Sequence, residues 1–246
     1  MPFLLLTIQQ VRKLVRTSDM RESKKAKLAR IHAEYALLCE EIPSPQCALH
    51  FSNPFELLIA TVLSAQTTDK RVNMVTPELF ATFPNSRALA QASLAQVESI
   101  IRTLGFYRVK AQHIIALSAR LESNFHGVVP SSMEDLTSLP GVGRKTANVV
   151  RGNAFGLPGF PVDTHVMRVT GRLGWYDHGS SCHKRQNTQI KPDPTAIERE
   201  ITAYFPPNEW TNLSHRLIAH GRTVCTAKNP KCALCPLRAT CPYAAS

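Results

Sequence analysis

The sequence predicts an all-α protein. Apolar residues recur at helical spacing through most of the 246-residue chain, and no run alternates as a half-buried strand does. Capping residues and prolines break this pattern into separate segments, as at Asn53-Pro54 and Ile42-Pro-Ser-Pro45. Pro140-Gly-Val-Gly143 allows a sharp reversal between two such segments, so that they read as a pair of joined helices.

Taken in order, the first helix is marked by Leu28, Ile31, Tyr35 and Leu38 and follows a basic leader. Asn53, Pro54 and Glu56 supply an N-cap, a first-turn proline and a first-turn acid to a helix running to about Ala65. That helix is apolar nearly all round, which predicts a buried central element. Gln66-Thr-Thr-Asp69 ends it and starts a helix to about Phe80, and Pro84-Asn85-Ser86 reads as a turn. Ser93 to Leu104 and Arg108 to Phe125 are predicted helices, separated by the loop Gly105-Phe106-Tyr107. Ser132 to Leu139 and Arg144 to Phe155 flank the glycine turn, and Gly156 to Pro161 reads as a stiff linker. Asp163 opens a helix to about Leu173. Gly174 to Pro194 is a long loop, followed by helices over Thr195 to Phe205 and Glu209 to Arg222.

Composition narrows the function. Lys and Arg outnumber Asp and Glu 29 to 18, for a formal net charge of +11. A balance this basic favours a polyanionic partner, nucleic acid before an anionic membrane. No apolar run is long enough to span a membrane, and Phe3 to Leu6 is too short for a signal peptide. A cytoplasmic location is therefore expected. Of the seven cysteines, four crowd the C-terminal end, a poor match to a secreted disulfide framework and a better one to a metal site. Cys39, Cys47 and Cys182 share no spacing with them and read as ordinary thiols.

The chemistry concentrates in a few stretches. A Gly-x-Gly turn entering a helix leaves backbone N–H groups outward, a phosphate site that reads no sequence. Lys145 falls in the first turn of that helix, where the dipole disfavours an ammonium. The same geometry that grips a phosphate would help make a lysine nucleophilic. Asp163 can cap its helix, and the carboxylate can equally serve a reacting centre. Cys225, Cys232, Cys235 and Cys241 could ligate zinc or a [4Fe–4S] cluster, since four thiolates suit either.

Four segments together resemble the helix-hairpin-helix DNA glycosylases, on the endonuclease III branch. They are Ser64-Ala-Gln66-x-x-Asp69, Leu139-Pro-Gly-Val-Gly-Arg-Lys-Thr-Ala147, Val162-Asp-Thr-His165 and Cys225-x6-Cys-x2-Cys-x5-Cys241. The resemblance covers roughly residues 51 to 241 and implies two helical domains flanking a DNA-binding cleft. One would span 47–157. The other would combine 20–46 with 158–246. Residues 1–19 match nothing in the family and read as a flexible tail or as the result of a mistaken upstream start codon. The resemblance implies a [4Fe–4S] cluster on the four cysteines, with Lys145 and Asp163 as catalytic residues that meet at the cleft. Gly141, Gly143 and Arg144 would hold the DNA backbone. Gln66 would fill the hole left by an extruded base, and Leu104 and Phe106 would flank a wedge loop. His165 would contact a phosphate or pack internally, and Asp69 matches an acid at the pocket mouth. Lys228, Lys231 and Arg238 would meet phosphates or balance the cluster's charge. The implied activity, for a monomer acting on duplex DNA, is excision of oxidised pyrimidines followed by strand cleavage at the abasic site. A glycosylase with another lesion or mismatch preference, and a non-catalytic DNA-binding redox sensor, are the rival readings.

Overall fold

The computed structural model describes residues 22–176 and 193–244. The predicted tail over 1–19 and most of the 174–194 loop, Cys182 included, lie outside these residues. Every regular element among the described residues is helical. The α-helices are α1 (Lys24–Glu41), α2 (Pro54–Leu63), α3 (Asp69–Thr82), α4 (Ser86–Ala90), α5 (Leu94–Ile101) and α6 (Tyr107–Phe125). They continue with α7 (Met133–Ser138), α8 (Arg144–Phe155), α9 (Thr164–Arg172), α10 (Pro194–Thr202) and α11 (Trp210–Thr223). Two compact units result, Cys47–Pro161 and a second built from the segments on either side of it.

The Cys47–Pro161 unit is organised around α2. Asn53 caps it by accepting from the Glu56 N–H at 3.0 Å, and Pro54 presets its first turn. Phe55 and every residue from Leu57 to Leu63 are buried. The one hydroxyl among them, Thr61, donates back to the Leu57 carbonyl at 2.7 Å. Helices α3, α6 and α8 pack directly on α2, α4 and α5 pack on α6, and α7 packs on α8. The hairpin is thereby attached to the most buried helix of its unit.

One expected turn is a short helix. Asn85 caps α4 by accepting from the Ala88 N–H at 2.9 Å, and Leu89 is fully buried. The signal was the cap, but five residues are too few to show a periodic face.

In the other unit, α11 packs against α9 and α1. Trp175, read from sequence as part of a loop, is fully buried, and its Nε1 donates to the Glu34 carboxylate. Arg30 Nη1 also donates to both Glu34 oxygens at 3.3 Å and to the Leu173 carbonyl at 2.8 Å. Burial pushes the Glu34 carboxyl up, opposed by Arg30 and the Trp175 hydrogen bond. The segment after α9 is thus pinned to α1 by a hydrogen-bonded pair of buried charges.

Candidate DNA-processing site and cysteine centre

The hairpin turn is held by two apolar anchors. Leu139 and Val142 are buried, and the Val142 N–H donates to the Leu139 carbonyl at 3.1 Å. Between and beyond these anchors Gly141, Gly143, Arg144 and Lys145 are exposed. Gly141 has φ +76, and a Cβ there would lie 3.2 Å from His113 Nδ1 and 3.3 Å from its Cβ and Cγ. Gly143 is different. Its backbone is extended, it opens α8 without a side-chain cap, and a Cβ would meet nothing within 4 Å. Gly141 is needed by the fold, whereas Gly143 opens α8 with no side chain to shield the backbone N–H groups of its first turn.

These two glycines therefore predict separable effects. Gly141→Ala is expected to lower stability by about 1–2 kcal/mol, through left-handed strain and crowding against His113. Gly143→Ala is expected to leave the melting temperature nearly unchanged and to weaken DNA affinity, because its methyl would stand in the path of a phosphate. Thermal melts paired with DNA titrations check both.

Lys145 stands at the second position of α8, in its exposed first turn. Asp163 is the N-cap of α9, its Oδ1 accepting from the Val166 N–H at 2.8 Å, and it is half-buried. The cap holds the carboxylate in one orientation. Lys145 belongs to the Cys47–Pro161 unit and Asp163 to the other. His165 is half-buried, with Nδ1 3.1 Å from Arg168 Nη2 and its ring beside Gly221. Those surroundings match a packed histidine.

Gln66 and Phe106 are both exposed, Phe106 at 68%. Both adopt left-handed backbone conformations, with φ of 53° and 56°. Leu104 is a correction. It is only 2% exposed and lies within the apolar core of its unit, so it cannot enter DNA without unpacking. Leu104 and Phe106 flank the same glycine, but the left-handed turn at Phe106 sends one side chain outward while the other stays in the core. Asp69 begins α3 directly after its cap, Thr68.

Cys225, Cys232, Cys235 and Cys241 line one pocket, together with Val169, Arg172, His220 and Tyr243. Leu237, fully buried, anchors the loop between the last two cysteines. Among the described residues no three His, Cys, Asp or Glu side chains converge closely enough to hold one metal ion. A mononuclear zinc site needs sulfurs about 2.3 Å from a single centre. Burial pushes the Cys235 thiol up to about 11 and raises that of Cys241 as well. Lys228, Lys231 and Arg238 are exposed around this loop.

Two neighbours of the cysteines carry no motif. Arg172, from α9, donates to Cys225 Sγ at 3.3 Å and to the Thr226 carbonyl at 2.8 Å, and its guanidinium lies over the Tyr243 ring at 4.4 Å. His220, from α11, is buried between the Glu41 carboxylate at 2.7 Å and Cys235 Sγ at 3.7 Å. The only sequence signals were a basic residue in the last turn of each helix, a common pattern.

Comparisons with known proteins identify the family. The model of the HhH-GPD superfamily of base excision DNA repair proteins matches residues 59–192. An endonuclease III from Synechocystis sp. is 44% identical over 82% of this chain and 87% of its own length. The chain belongs to the endonuclease III family. Among solved structures, a non-covalent endonuclease III–DNA complex superposes with a TM-score of 0.79 at 39% identity, covering 88% of this chain and 96% of that one. A trapped covalent endonuclease III–DNA intermediate also superposes with a TM-score of 0.79, at 39% identity, over 88% of this chain and 97% of that one. Membership of the endonuclease III family makes this chain a base excision DNA repair protein. No helix among the described residues is long and apolar enough to cross a membrane.

Proposed function

We propose that the chain is a DNA glycosylase with AP lyase activity that removes oxidised pyrimidines from duplex DNA, with Lys145 as nucleophile. The observation that carries this reading is an amine in the exposed first turn of α8, beside the N–H groups of a helix that Gly143 opens without a side-chain cap. Phosphates held at those N–H groups would bring a deoxyribose to the lysine. The amine attacks C1′ and the C1′–base bond breaks, the departing base carrying away the electron pair. Loss of a proton from nitrogen and opening of the sugar leave a Schiff base. That imine acidifies C2′, and loss of a C2′ proton expels the 3′ phosphate. Glycosylase and lyase steps thus share one nucleophile.

Asp163 serves the same centre from the α9 N-terminus. Its charge stabilises the oxocarbenium character that develops as the base departs. A base must leave the stack to be reached. Gln66 fills the space it vacates, and Phe106 enters between base steps as the wedge. Arg144 and the exposed Lys228, Lys231 and Arg238 add phosphate contacts.

The test is borohydride reduction in the presence of duplexes carrying oxidised pyrimidines, mismatches or abasic sites. A covalent adduct is expected on oxidised pyrimidines and abasic sites. Absence of any adduct would favour a non-catalytic DNA-binding protein. Adducts confined to mismatches would change the substrate class.

The cysteine pocket is read as a [4Fe–4S] site rather than a zinc site, because four thiols line it in the six-two-five spacing that resembles the endonuclease III cluster loop. Cys225, Cys232, Cys235 and Cys241 would be the ligands. When bound, the cluster supplies a structural centre to a loop with little apolar core of its own. Cys232→Ser is accordingly expected to lower both iron content and soluble yield, as read by metal analysis and recovery. Stoichiometric zinc without iron in the wild-type protein would exclude the cluster. The protein is expected to act as a monomer in the compartment where it is made.

A further inference from the structure

We propose that Lys110 is a positioning residue for base extrusion, tying the Gln66 turn to the Phe106 turn so that the two exposed side chains act as one pre-set pair. This rests on the reading of Gln66 and Phe106 as the residues that enter DNA.

Lys110 is a lysine in an expensive place. It lies on the inner side of α6 and is only 5% exposed. Its Nζ donates to Thr67 Oγ1 at 2.6 Å. Thr67 follows Gln66 directly, and the Lys110 N–H donates to the Phe106 carbonyl at 3.1 Å. One residue is therefore bonded to both turns, through its side chain to the first and its backbone to the second. Arg71 makes a second tie between the same two segments, donating from Nη1 to the Thr103 carbonyl at 3.3 Å.

Energetics make this more than packing. Burial alone pulls the Lys110 amine below its ordinary value, with no carboxylate acting against it. A methionine would fill the same space without the desolvation cost of an ammonium held by one hydroxyl. Gln66 and Phe106 are themselves two of the four non-glycine residues with left-handed backbones among those described. Such conformations are strained and persist only where the surroundings over-determine them. The Lys110 bridge supplies that constraint at both turns. Pre-setting the pair would spare the enzyme from ordering two loops while it unstacks a base.

The experiment uses the full chain and single-turnover excision of an oxidised pyrimidine, either paired in a duplex or placed in an unpaired bulge. Lys110→Met and Thr67→Val each remove the Nζ–Oγ1 bond, from opposite ends. Both are expected to slow excision of the paired lesion about tenfold or more and of the unpaired lesion less than about threefold. Lys110→Arg is expected to recover part of the loss. Should Lys110→Met fail to fold in a thermal melt, Thr67→Val decides alone. Gln66→Ala and Phe106→Ala are run in parallel. If they show the pairing-dependent loss and the bridge variants show equal losses on both substrates, or none, the positioning role of Lys110 is wrong. If Gln66→Ala and Phe106→Ala themselves lack it, the extrusion reading fails and the proposal falls with it.

Discussion

Lys145→Gln is expected to keep most of the affinity for DNA while losing strand cleavage and the borohydride-trapped adduct by roughly 10³-fold or more. Affinity survives because the phosphate contacts are spread over backbone N–H groups and many basic side chains, of which Lys145 is one. Gln is a good helix former of similar length, so α8 is expected to stay intact. What disappears is the only group proposed to form a bond with C1′. Gel-shift titration at fixed salt, single-turnover cleavage and reductive trapping measure the three quantities separately. An adduct formed by Lys145→Gln at the wild-type rate would mean that another amine is the nucleophile.

Asp163→Asn is expected to lower base excision by about 10²–10⁴-fold with folding unchanged. The structure makes this substitution informative. Asp163 Oδ1 caps α9 by accepting from the Val166 N–H at 2.8 Å, and asparagine caps helices about as well as aspartate. The amide oxygen can keep that bond, so only the charge and one acceptor are lost. Asp163→Ala is expected to cost a further ~1 kcal/mol of stability through the missing cap. A thermal melt alongside the kinetics separates the two contributions. Equal stability losses for Asn and Ala would show that the charge, not the cap, holds α9.

The resemblance that suggested these residues was carried by local signals, and the structure shows why those signals were readable. A cap and the N–H that donates to it lie two or three residues apart, so Asn53, Ser93, Ser132 and Asp163 mark helix starts whatever surrounds them. The start and end of α8 follow in the same way, from Gly143 at its N-cap and Gly156, in the left-handed conformation, at its C-cap. Cysteine spacing is equally local, since all four thiols lie in one short loop and line the same pocket.

Side-chain direction was harder to read. Leu104 and Phe106 are two apolar residues flanking Gly105, and nothing in the sequence separates them. The 2% exposure of one and 68% of the other follow from a left-handed turn and from the core that Leu104 meets.

By itself the sequence determined the helical class, the places where most of the described helices begin, the exposed glycine turn with Lys145 behind it, and the family. Each rests on interactions within about one helical turn, or on spacing along the chain. Only the tertiary structure decided which polar groups are buried and what they hold. Lys110 meets Thr67 across 43 residues, Arg172 meets Cys225 across 53, and Trp175 meets Glu34 across 141. A buried charge or indole N–H must find its partner wherever the packing delivers one. Those partners lie far beyond any local window, so the same lysine, arginine or tryptophan would read as surface or loop until the chain is folded.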